Sequence, residues 1–420
     1  MLDPPSCQSP QSPQSPPLTV SNATADSTWQ SYSSNSSLKS ASSPSSSSLT
    51  ITEPLPAGVP HGLINLGNTC YINATLQSLY SIEPFRRLII SIGRQNDSDK
   101  VLTNELAELF KTMMNSASAS TATTTTTTTR SPTSLSSSGP ISPANFKYAF
   151  SHYQSKFSGF GQQDAQEFLR YLINGIHEES NSARRRQASN RSRASSRPAP
   201  RTSQEAWSQY RDIVDDSPLV DLLVGQLCST ITCGQCQNQS HCWDPFWDLS
   251  LPLSSRRAGG GSYSYGHSLM SSLKQVIEEF TAKETLDLEE RPVCSQCKKA
   301  TKSTKQISLA RLPDLLILHL KKFTNDGYKL TSHDIQIDKQ LTFNGVIYQL
   351  KACISHHGHS SCSGHYTSHC EYQSRWFHFN DDRVRDATSA FDGNNKLDDA
   401  YVLLYVRTSR RTSTVSQAKL

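Results

Sequence analysis

The sequence of 420 residues contains no long apolar stretch. None of its apolar runs approaches the roughly 18 residues that a membrane-spanning helix needs, which argues against a membrane span. Its N-terminus lacks the charged and then apolar pattern of a secretory signal, so we do not expect secretion. The eleven cysteines are an odd number, and four of them form two CxxC pairs. In a chain without a secretory signal, this pattern favours free thiols and a metal site over disulfides.

Acidic residues are absent from residues 184–201, a stretch that contains seven arginines. The formal net charge is +5, so the basic balance belongs to this one segment and the remainder of the chain is slightly acidic. Such a cluster suits a nuclear address, an RNA-binding arm or a solvated loop. We favour the loop, because the arginines are mixed with Ser, Ala and Pro. Neither nucleic acid nor a membrane is therefore expected as a partner.

Low-complexity segments interrupt the pattern of a folded chain. Residues 1–57 are rich in Ser, Pro and Thr and have too little apolar surface to offset the entropy of ordering, which predicts a disordered tail. Insertions are predicted at about residues 115–143, 181–204 and 254–268. Long surface insertions are tolerated because their entropic cost grows slowly with length.

Residues 61–80 predict a loop followed by a buried helix that carries Cys70. The glycines and asparagines over 62–68 are typical of a tight loop, because both residue types tolerate positive φ. Thr69 is a candidate N-cap, and Pro84 is predicted to end the helix. Cys70 then lies in the first turn, where the positive end of the helix dipole favours a thiolate over a thiol. One helical face is apolar, with Ile72, Leu76, Leu79 and Tyr80.

Asn65 lies five residues before Cys70 and is a candidate oxyanion donor, because its side-chain amide can turn towards the same position. The competing interpretation makes Cys70 a small core residue and Asn65 an ordinary turn residue. For a cysteine taken without context, that second interpretation is the commoner one.

Residues 159–179 predict an amphipathic helix with an acidic N-terminus. Asp164 and Glu167 form a candidate capping pair. Taken alone, Asp164 is more often a simple N-cap than a functional residue. The predicted buried stripe contains Phe168, Leu169, Leu172, Ile173 and Ile176. Two further helices are predicted from the apolar residues Leu102, Leu106, Leu109, Phe110 and Met113, and from Leu273, Val276, Ile277 and Phe280.

Two CxxC pairs predict one metal site, with the ligands Cys233, Cys236, Cys294 and Cys297. A spacer of two residues lets both sulfurs of a pair reach one zinc ion, and four thiolates leave no open position, so the site is structural. Long strands must bring the pairs together. A redox role would need a thioredoxin-like context that is absent here. Cys228 and Cys242 are left out, because neither has a CxxC partner.

Beyond Leu312 the apolar period changes to two, which predicts short strands in an antiparallel meander. The candidate general base is His365. Two strands are separated only by Gln373 and Ser374, and a tight turn there pairs Tyr372 with Arg375.

Extended along both strands, this register puts His365 opposite Asp382 and places Asn380 diagonally beside it. Asp381 is predicted to point to the other face. A bulge of one residue would bring Asp381 into the place of Asn380.

Residues 356–370 also permit a metallic interpretation, because Cys- and His-rich tracts bind metals. We give this less weight, since the spacing fits no tetrahedral pattern. The members of this tract are His356, His357, His359, Cys362, His365, His369 and Cys370.

The stretch GLINLGNTCYINATLQSL, residues 62–79, closely resembles the cysteine box of the ubiquitin-specific proteases, a family of papain-like deubiquitinases. The Gln-Gln-Asp box, the CxxC pairs and Ser-Gly-His-Tyr follow in the family's order. The resemblance covers about residues 58–408 and leaves 409–420 as a flexible tail. It implies a papain-like α+β fold with a helical thumb, a β-sheet palm and a finger subdomain at about 225–310, which holds one structural Zn²⁺. No catalytic cofactor is implied.

The resemblance also implies roles for single residues. Cys70 would be the nucleophile, His365 the base and Asn380 the residue that orients it, with Asn65 at the oxyanion. Glycine is usual in the family at the positions of His359 and Ser363, so the loop over the substrate's tail is bulkier here. The residues implied to hold that tail are Gln162 and Asp164.

The implied function is hydrolysis of isopeptide or thioester bonds at the C-terminal glycine of ubiquitin. We expect a monomer that works on ubiquitin and ubiquitinated proteins in the cytoplasm, the nucleus or both. One alternative is an inactive ubiquitin-binding scaffold, which would be expected to lose Cys70, His365 or Asn380. The other is a zinc-ribbon nucleic-acid binder whose affinity falls steeply with salt. It would leave the cysteine and histidine boxes unexplained.

Overall fold

The computed structural model describes residues 60–95, 97–118, 139–182, 198–253, 271–324, 327–329, 335–360, 363–393, 397 and 399–408. Contacts divide the chain into Met1–Leu55 and Pro56–Leu420, and every described residue lies in the second unit. Both predicted tails, residues 1–57 and 409–420, fall outside the described residues, and so does the predicted insertion at 254–268. The other two predicted insertions are described only at their edges.

Five helices form the first part of the fold: α1 (Cys70–Ser81), α2 (Glu83–Gly93), α3 (Val101–Ser118), α4 (Ala144–Tyr153) and α5 (Ala165–Ser180). Cys70–Tyr80 are all buried, so α1 is the central helix of this group. It ends at Ser81, and Pro84 lies in the first turn of α2 instead of closing α1. Proline suits a first helical turn because its missing N–H has no partner there.

The predicted apolar stripes of α3 and α5 are confirmed, since all ten of their named residues are buried. The short helix predicted from Leu273 is also present, as α8 (Leu273–Phe280), and begins with a capping box between Ser272 and Gln275. Two other helices, α6 (Ser203–Ile213) and α7 (Pro218–Leu223), lie between α5 and the first strand, and α9 (Thr388–Gly393) precedes the last strand.

A four-stranded sheet corresponds to the predicted finger. Its strands are ordered β2 (Gln239–Phe246), β1 (Gly225–Cys233), β6 (Ser303–Arg311) and β5 (Glu284–Thr285), and all neighbours are antiparallel. The β1–β2 hairpin ends at the first CxxC pair. The second pair precedes β6, and Cys233 pairs with Ser303 across the sheet. Long strands therefore bring the two CxxC pairs to one end of this sheet.

A larger sheet contains β13 (Arg383–Asp386), β12 (Arg375–Asn380), β11 (Ser363–Tyr372), β10 (Val346–Ser360), β14 (Ala400–Arg407), β7 (Leu315–Lys321) and β3 (Leu249–Pro252) in that order. Strand β9 (Gln340–Phe343) also pairs with β10. The predicted antiparallel meander holds for β10–β13. The order was wrong for β7 and β14, because β14 inserts between β10 and β7, although it is antiparallel to both. Strand β3, which lies outside the predicted meander, runs parallel to β7. A separate two-stranded pair joins β4 (Ser271–Ser272) and β8 (Ile335–Gln336).

Each face of the large sheet has its own core. On β7, Leu315 and Ile317 face the helices, whereas Leu316, Leu318 and Leu320 belong to a second core that includes α8. The period of two in the sequence is the direct cause of this division. Helix α1 packs against β11 and α5 in the first core, so the residues around Cys70 and His365 lie between the helices and the sheet.

Candidate active site

Cys70 is the first residue of α1 and is only 2% exposed. The preceding loop contains Gly67 with a φ of 99° and Asn68 with a φ of 52°, which confirms the prediction of a loop with left-handed backbone. Thr69 is the N-cap by position, but its side chain does not cap α1. The Thr69 hydroxyl accepts a hydrogen bond from Leu66 N at 2.8 Å, and so it fixes the loop instead of the helix.

His365 lies on β11 and forms side-chain hydrogen bonds with Cys70 and Asn380. Its Nε2 is 2.8 Å from Asn380 Oδ1. Because a carboxamide oxygen only accepts, Nε2 carries a proton in this contact and Nδ1 remains to exchange a proton with the thiol. The pKa of His365 is raised to about 9, mainly by the hydrogen bond with Cys70, and Asn380 adds to this against the opposing effect of burial.

The predicted hairpin register is confirmed from Tyr372–Arg375 to Ser368–Phe379. Both turn residues, Gln373 and Ser374, have positive φ, as a two-residue hairpin loop requires. The pairing of His365 with Asp382 was wrong. Strand β12 ends at Asn380, which pairs with Arg383 of β13, so the chain has already turned before it could reach His365.

Asp381 is the main difference between the prediction and the structure. It has a φ of 51°, so the turn interrupts the strand alternation that was predicted to send it to the other face. Its Oδ2 lies 4.0 Å from His365 Nε2, on the same side as Asn380. The described residues do not contain the one-residue bulge that would have replaced Asn380 by Asp381, because Asn380 still bonds His365.

Asp381 also holds the loop before Cys70. Asn65 Nδ2 donates to Asp381 Oδ2 at 2.9 Å, and Asn73 Nδ2 donates to Oδ1 at 2.8 Å. Asn65 Oδ1 accepts from the backbone N–H groups of Gly67 and Thr69 at 3.0 Å each. The sequence predicted Asp381 on the other face, which was wrong, and the role of Asn73 was not predicted. The signal for Asn73 was a polar side chain on a helix that is otherwise buried, which needs a partner.

Gln162 and Asp164 lie at the start of α5. Asp164 caps this helix through Gln166 N and Glu167 N, so the predicted N-cap is confirmed. The carboxylate of Glu167 does not complete a capping box and instead binds Lys156. Asp164 Oδ2 also accepts from the Tyr401 hydroxyl at 2.6 Å, and burial raises the pKa of the Asp164 carboxyl. Gln162 reaches the large sheet, where it bonds the backbone of Gly364.

The sulfur atoms of Cys233, Cys236, Cys294 and Cys297 all lie within 4.8 Å of one another. The Cys236–Cys294 separation is 3.6 Å and the Cys233–Cys297 separation is 3.9 Å. Four thiolates bound tetrahedrally to one zinc ion are about 3.8 Å apart, so the cluster can hold one such ion. The hydrogen bond with Cys236, burial and the hydrogen bonds with the other two thiols raise the pKa of Cys297 to about 12. A divalent cation bound by the four sulfur atoms would favour their thiolate forms.

The histidine-rich stretch does not form a second cluster in the described part of the chain. His356 is buried between the rings of Phe323 and Tyr366, and His369 packs against His378. His357 bonds Asp399 and Thr367. Cys362 lies outside the described residues. Among the residues that are described, only the four cysteines form a group of three or more possible ligands.

The site therefore has a cysteine at the start of a buried helix and, opposite it on a sheet, a histidine that an asparagine orients. This is the arrangement of a papain-like cysteine protease. The family described as "Ubiquitin carboxyl-terminal hydrolase" matches residues 61–405. Ubiquitin carboxyl-terminal hydrolase 2 of Gallus gallus is 34% identical over 363 residues, which cover 82% of this chain and 92% of that protein. The same-named protein of Homo sapiens is 32% identical and covers 82% of this chain, which spans 54% of its length.

This chain therefore belongs to the ubiquitin carboxyl-terminal hydrolase family, whose members are thiol proteases. It spans about half the length of the bovine and human relatives that it matches. A solved structure of the SAGA DUB module bound to ubiquitin aldehyde superposes with a TM-score of 0.58 at 22% identity, covering 86% of this chain and 72% of that one. This likeness shows the shared mixed helix and sheet fold of the ubiquitin-specific protease catalytic domain. Within the described residues, no helix is both long and apolar enough to cross a membrane.

Proposed function

We propose that this protein is a deubiquitinating cysteine protease that hydrolyses isopeptide or thioester bonds at the C-terminal glycine of ubiquitin. The observation that carries the proposal is the juxtaposition of Cys70, His365 and Asn380, with an Nε2–Oδ1 distance of 2.8 Å. Family membership supports the substrate class, and two of the structural neighbours are modules bound to monoubiquitin or ubiquitin aldehyde. The catalytic domain would span about residues 58–408, and the protein would act as a monomer.

His365 is assigned the transfer of protons in this mechanism. It takes the proton of Cys70, and the resulting thiolate attacks the carbonyl carbon of ubiquitin's terminal glycine. His365 then protonates the departing lysine amine as the C–N bond breaks. Water, activated by the same imidazole, hydrolyses the thioester and returns the thiol. Asn380 acts by keeping the proton on Nε2, so that Nδ1 is the nitrogen that exchanges it.

Asn65 and the backbone N–H of Cys70 are assigned to the oxyanion. The Asn65 amide nitrogen has two hydrogens, so it can donate to Asp381 and still offer the second hydrogen to a developing negative charge. The bond to Asp381 orients the amide before substrate arrives. Loss of one such donor typically raises the barrier by about 2.7–4 kcal/mol.

The four-cysteine cluster is assigned a structural Zn²⁺, which would hold the end of the finger sheet together and take no part in the reaction. Gln162 and Asp164 are assigned to the passage of the ubiquitin tail. An intracellular location, in the cytoplasm, the nucleus or both, is supported by the nine described cysteines, all of which are free.

The proposal is tested by labelling with a ubiquitin that bears a C-terminal electrophile. We expect the unchanged protein to gain the mass of one ubiquitin, and Cys70→Ala to gain none. Cys242→Ala is the matched control, because Cys242 is an exposed thiol outside both sites and its variant retains labelling.

Labelling that persists in Cys70→Ala would contradict the choice of nucleophile. Reversible ubiquitin binding without an adduct in the unchanged protein would favour the inactive scaffold. Absence of both binding and adduct would exclude ubiquitin as the substrate.

A further inference from the structure

A contact between Gln162 and Gly364 joins the helices to the large sheet beside His365. Gly364 N donates to Gln162 Oε1 at 2.8 Å, and Gln162 Nε2 donates to the carbonyl oxygen of Gly364. Both residues are half-buried. One carboxamide thus satisfies both hydrogen-bonding groups of one backbone residue, as a residue of a neighbouring β-strand does.

Gly364 can make this contact because β11 has a free edge at that point. On one side β11 pairs with β10, where His365 lies opposite His357. On the other side β12 reaches only as far as Ser368, so no described strand lies beside residues 363–367. A free strand edge binds extended peptides through their backbone groups.

The position also requires glycine. A Cβ atom at residue 364 would lie 2.4 Å from His356 Nε2 and 2.6 Å from the backbone oxygen of His357. The close packing of Gly364 on β10 leaves its N–H and C=O directed towards Gln162. At this edge Gln162 occupies both backbone groups of Gly364.

We propose that Gln162 is a gate on this edge: its carboxamide holds Gly364 in the free enzyme, and the extended C-terminal tail of ubiquitin must displace it. This inference rests on the proposed function for the identity of the tail. The physical basis is competition, because the single N–H of Gly364 cannot donate fully to Gln162 and to an incoming peptide carbonyl. Since His365 is the next residue, the same contact holds the strand from which the imidazole projects, which makes Gln162 a positioning residue as well.

The test measures the association rate constant of ubiquitin with Cys70→Ala protein, so that no turnover occurs. We expect Gln162→Ala to raise this rate constant about threefold to tenfold, because removal of two hydrogen bonds increases the population of the open cleft. Gln162→Glu has the same size but cannot donate to the Gly364 carbonyl, and we expect it to raise the rate constant as well. Gln163→Ala is the matched control, since Gln163 is the neighbouring, half-buried glutamine.

If Gln162→Ala leaves the association rate constant unchanged but makes dissociation faster, Gln162 only contacts ubiquitin that is already bound. That result would overturn the gate. Equal acceleration by Gln163→Ala would also overturn it, because the effect would then not depend on the Gly364 contact.

Amide hydrogen exchange at Gly364 tests the contact without ubiquitin. We expect protection of the Gly364 N–H in the unchanged protein and its loss in Gln162→Ala. Equal exchange in the two proteins would overturn the gate even if ubiquitin is a substrate. Protection lost as expected, combined with no ubiquitin binding by any variant, would reject the proposed function and with it ubiquitin as the displacing chain.

Discussion

At the scale of the residue, the protonation of His365 depends on its two neighbours. The hydrogen bonds that His365 makes to Cys70 and Asn380 favour the imidazolium and raise the pKa of His365 to about 9, whereas burial opposes them. The protonated imidazole is the acid that the leaving amine needs. Activity is therefore expected to fall on the alkaline side as the pH rises through this pKa.

Replacement of Asn380 by Ala removes one of the two bonds that stabilise the imidazolium. The pKa of His365 then falls, so we expect the alkaline limb of the kcat profile to move to lower pH, with a loss of kcat of up to about 100-fold. The measurement is hydrolysis of ubiquitin aminomethylcoumarin between about pH 6 and pH 10. Asn380→Asp is the control. It keeps a hydrogen-bond acceptor for His365 Nε2, so its alkaline limb is expected to stay at high pH. A limb that stays in place in Asn380→Ala would exclude this role.

At the scale of the element, the finger sheet has little apolar core of its own. Most residues of β2 are exposed, and the residues of β1 are mainly half-buried. A sheet that buries so little surface needs another source of stability, and a metal ion held by four thiolates can supply it.

Cys294→Ser removes one ligand from the cluster, so we expect loss of bound zinc and a fall in Tm of more than about 4 °C. Zinc content by mass spectrometry and thermal unfolding are the two measurements. Cys242→Ser changes an exposed thiol on β2 outside the cluster and is expected to alter neither. Purified protein that contains no zinc yet unfolds at the same temperature as Cys294→Ser would refute a structural metal here.

At the scale of the whole molecule, the helices and the large sheet meet at the segment before the Cys70 loop. Leu63 N donates to Asp381 O, and Ile141 N donates to Gly62 O, both at 2.9 Å. Leu63 and Ile141 form a parallel bridge. This junction sets the distance between the loop of Cys70 and the turn that carries Asp381.

Gly62→Ala is expected to separate these two parts. Its Cβ would lie 2.3 Å from the backbone oxygen of Asp382, so the turn must move. We expect a loss of about 1–3 kcal/mol in the free energy of unfolding, as in other overpacked sites, together with reduced activity. Urea unfolding and ubiquitin hydrolysis measure the two effects. Gly139→Ala, where a Cβ meets nothing within 4 Å, is the control and should leave both unchanged. Equal free energies of unfolding for Gly62→Ala and Gly139→Ala would show that the junction accommodates the added methyl group without loss of stability, contrary to this prediction.

The parts of the site that the sequence predicted depend on local rules. The helix that begins at Cys70 follows from apolar periodicity after a Gly- and Asn-rich loop. The register of Tyr372 with Arg375 follows from a turn of two residues, and it brings Asn380 beside His365 without any long-range information. The roles of these residues remain proposals, supported by the geometry and the family.

Sequence alone thus predicted the cysteine, the histidine, the asparagine and the four clustered thiols, because residue type and short spacing, together with the resemblance to a known family, point to that chemistry. Only the tertiary structure decided how Asp381 joins the site and where Gln162 binds. A left-handed backbone at Asp381 reverses the direction that strand alternation predicts. Gln162 and Gly364 are 202 residues apart, and their contact depends on how the helices dock on the sheet. No local period encodes that packing, so such contacts could not be predicted from the sequence.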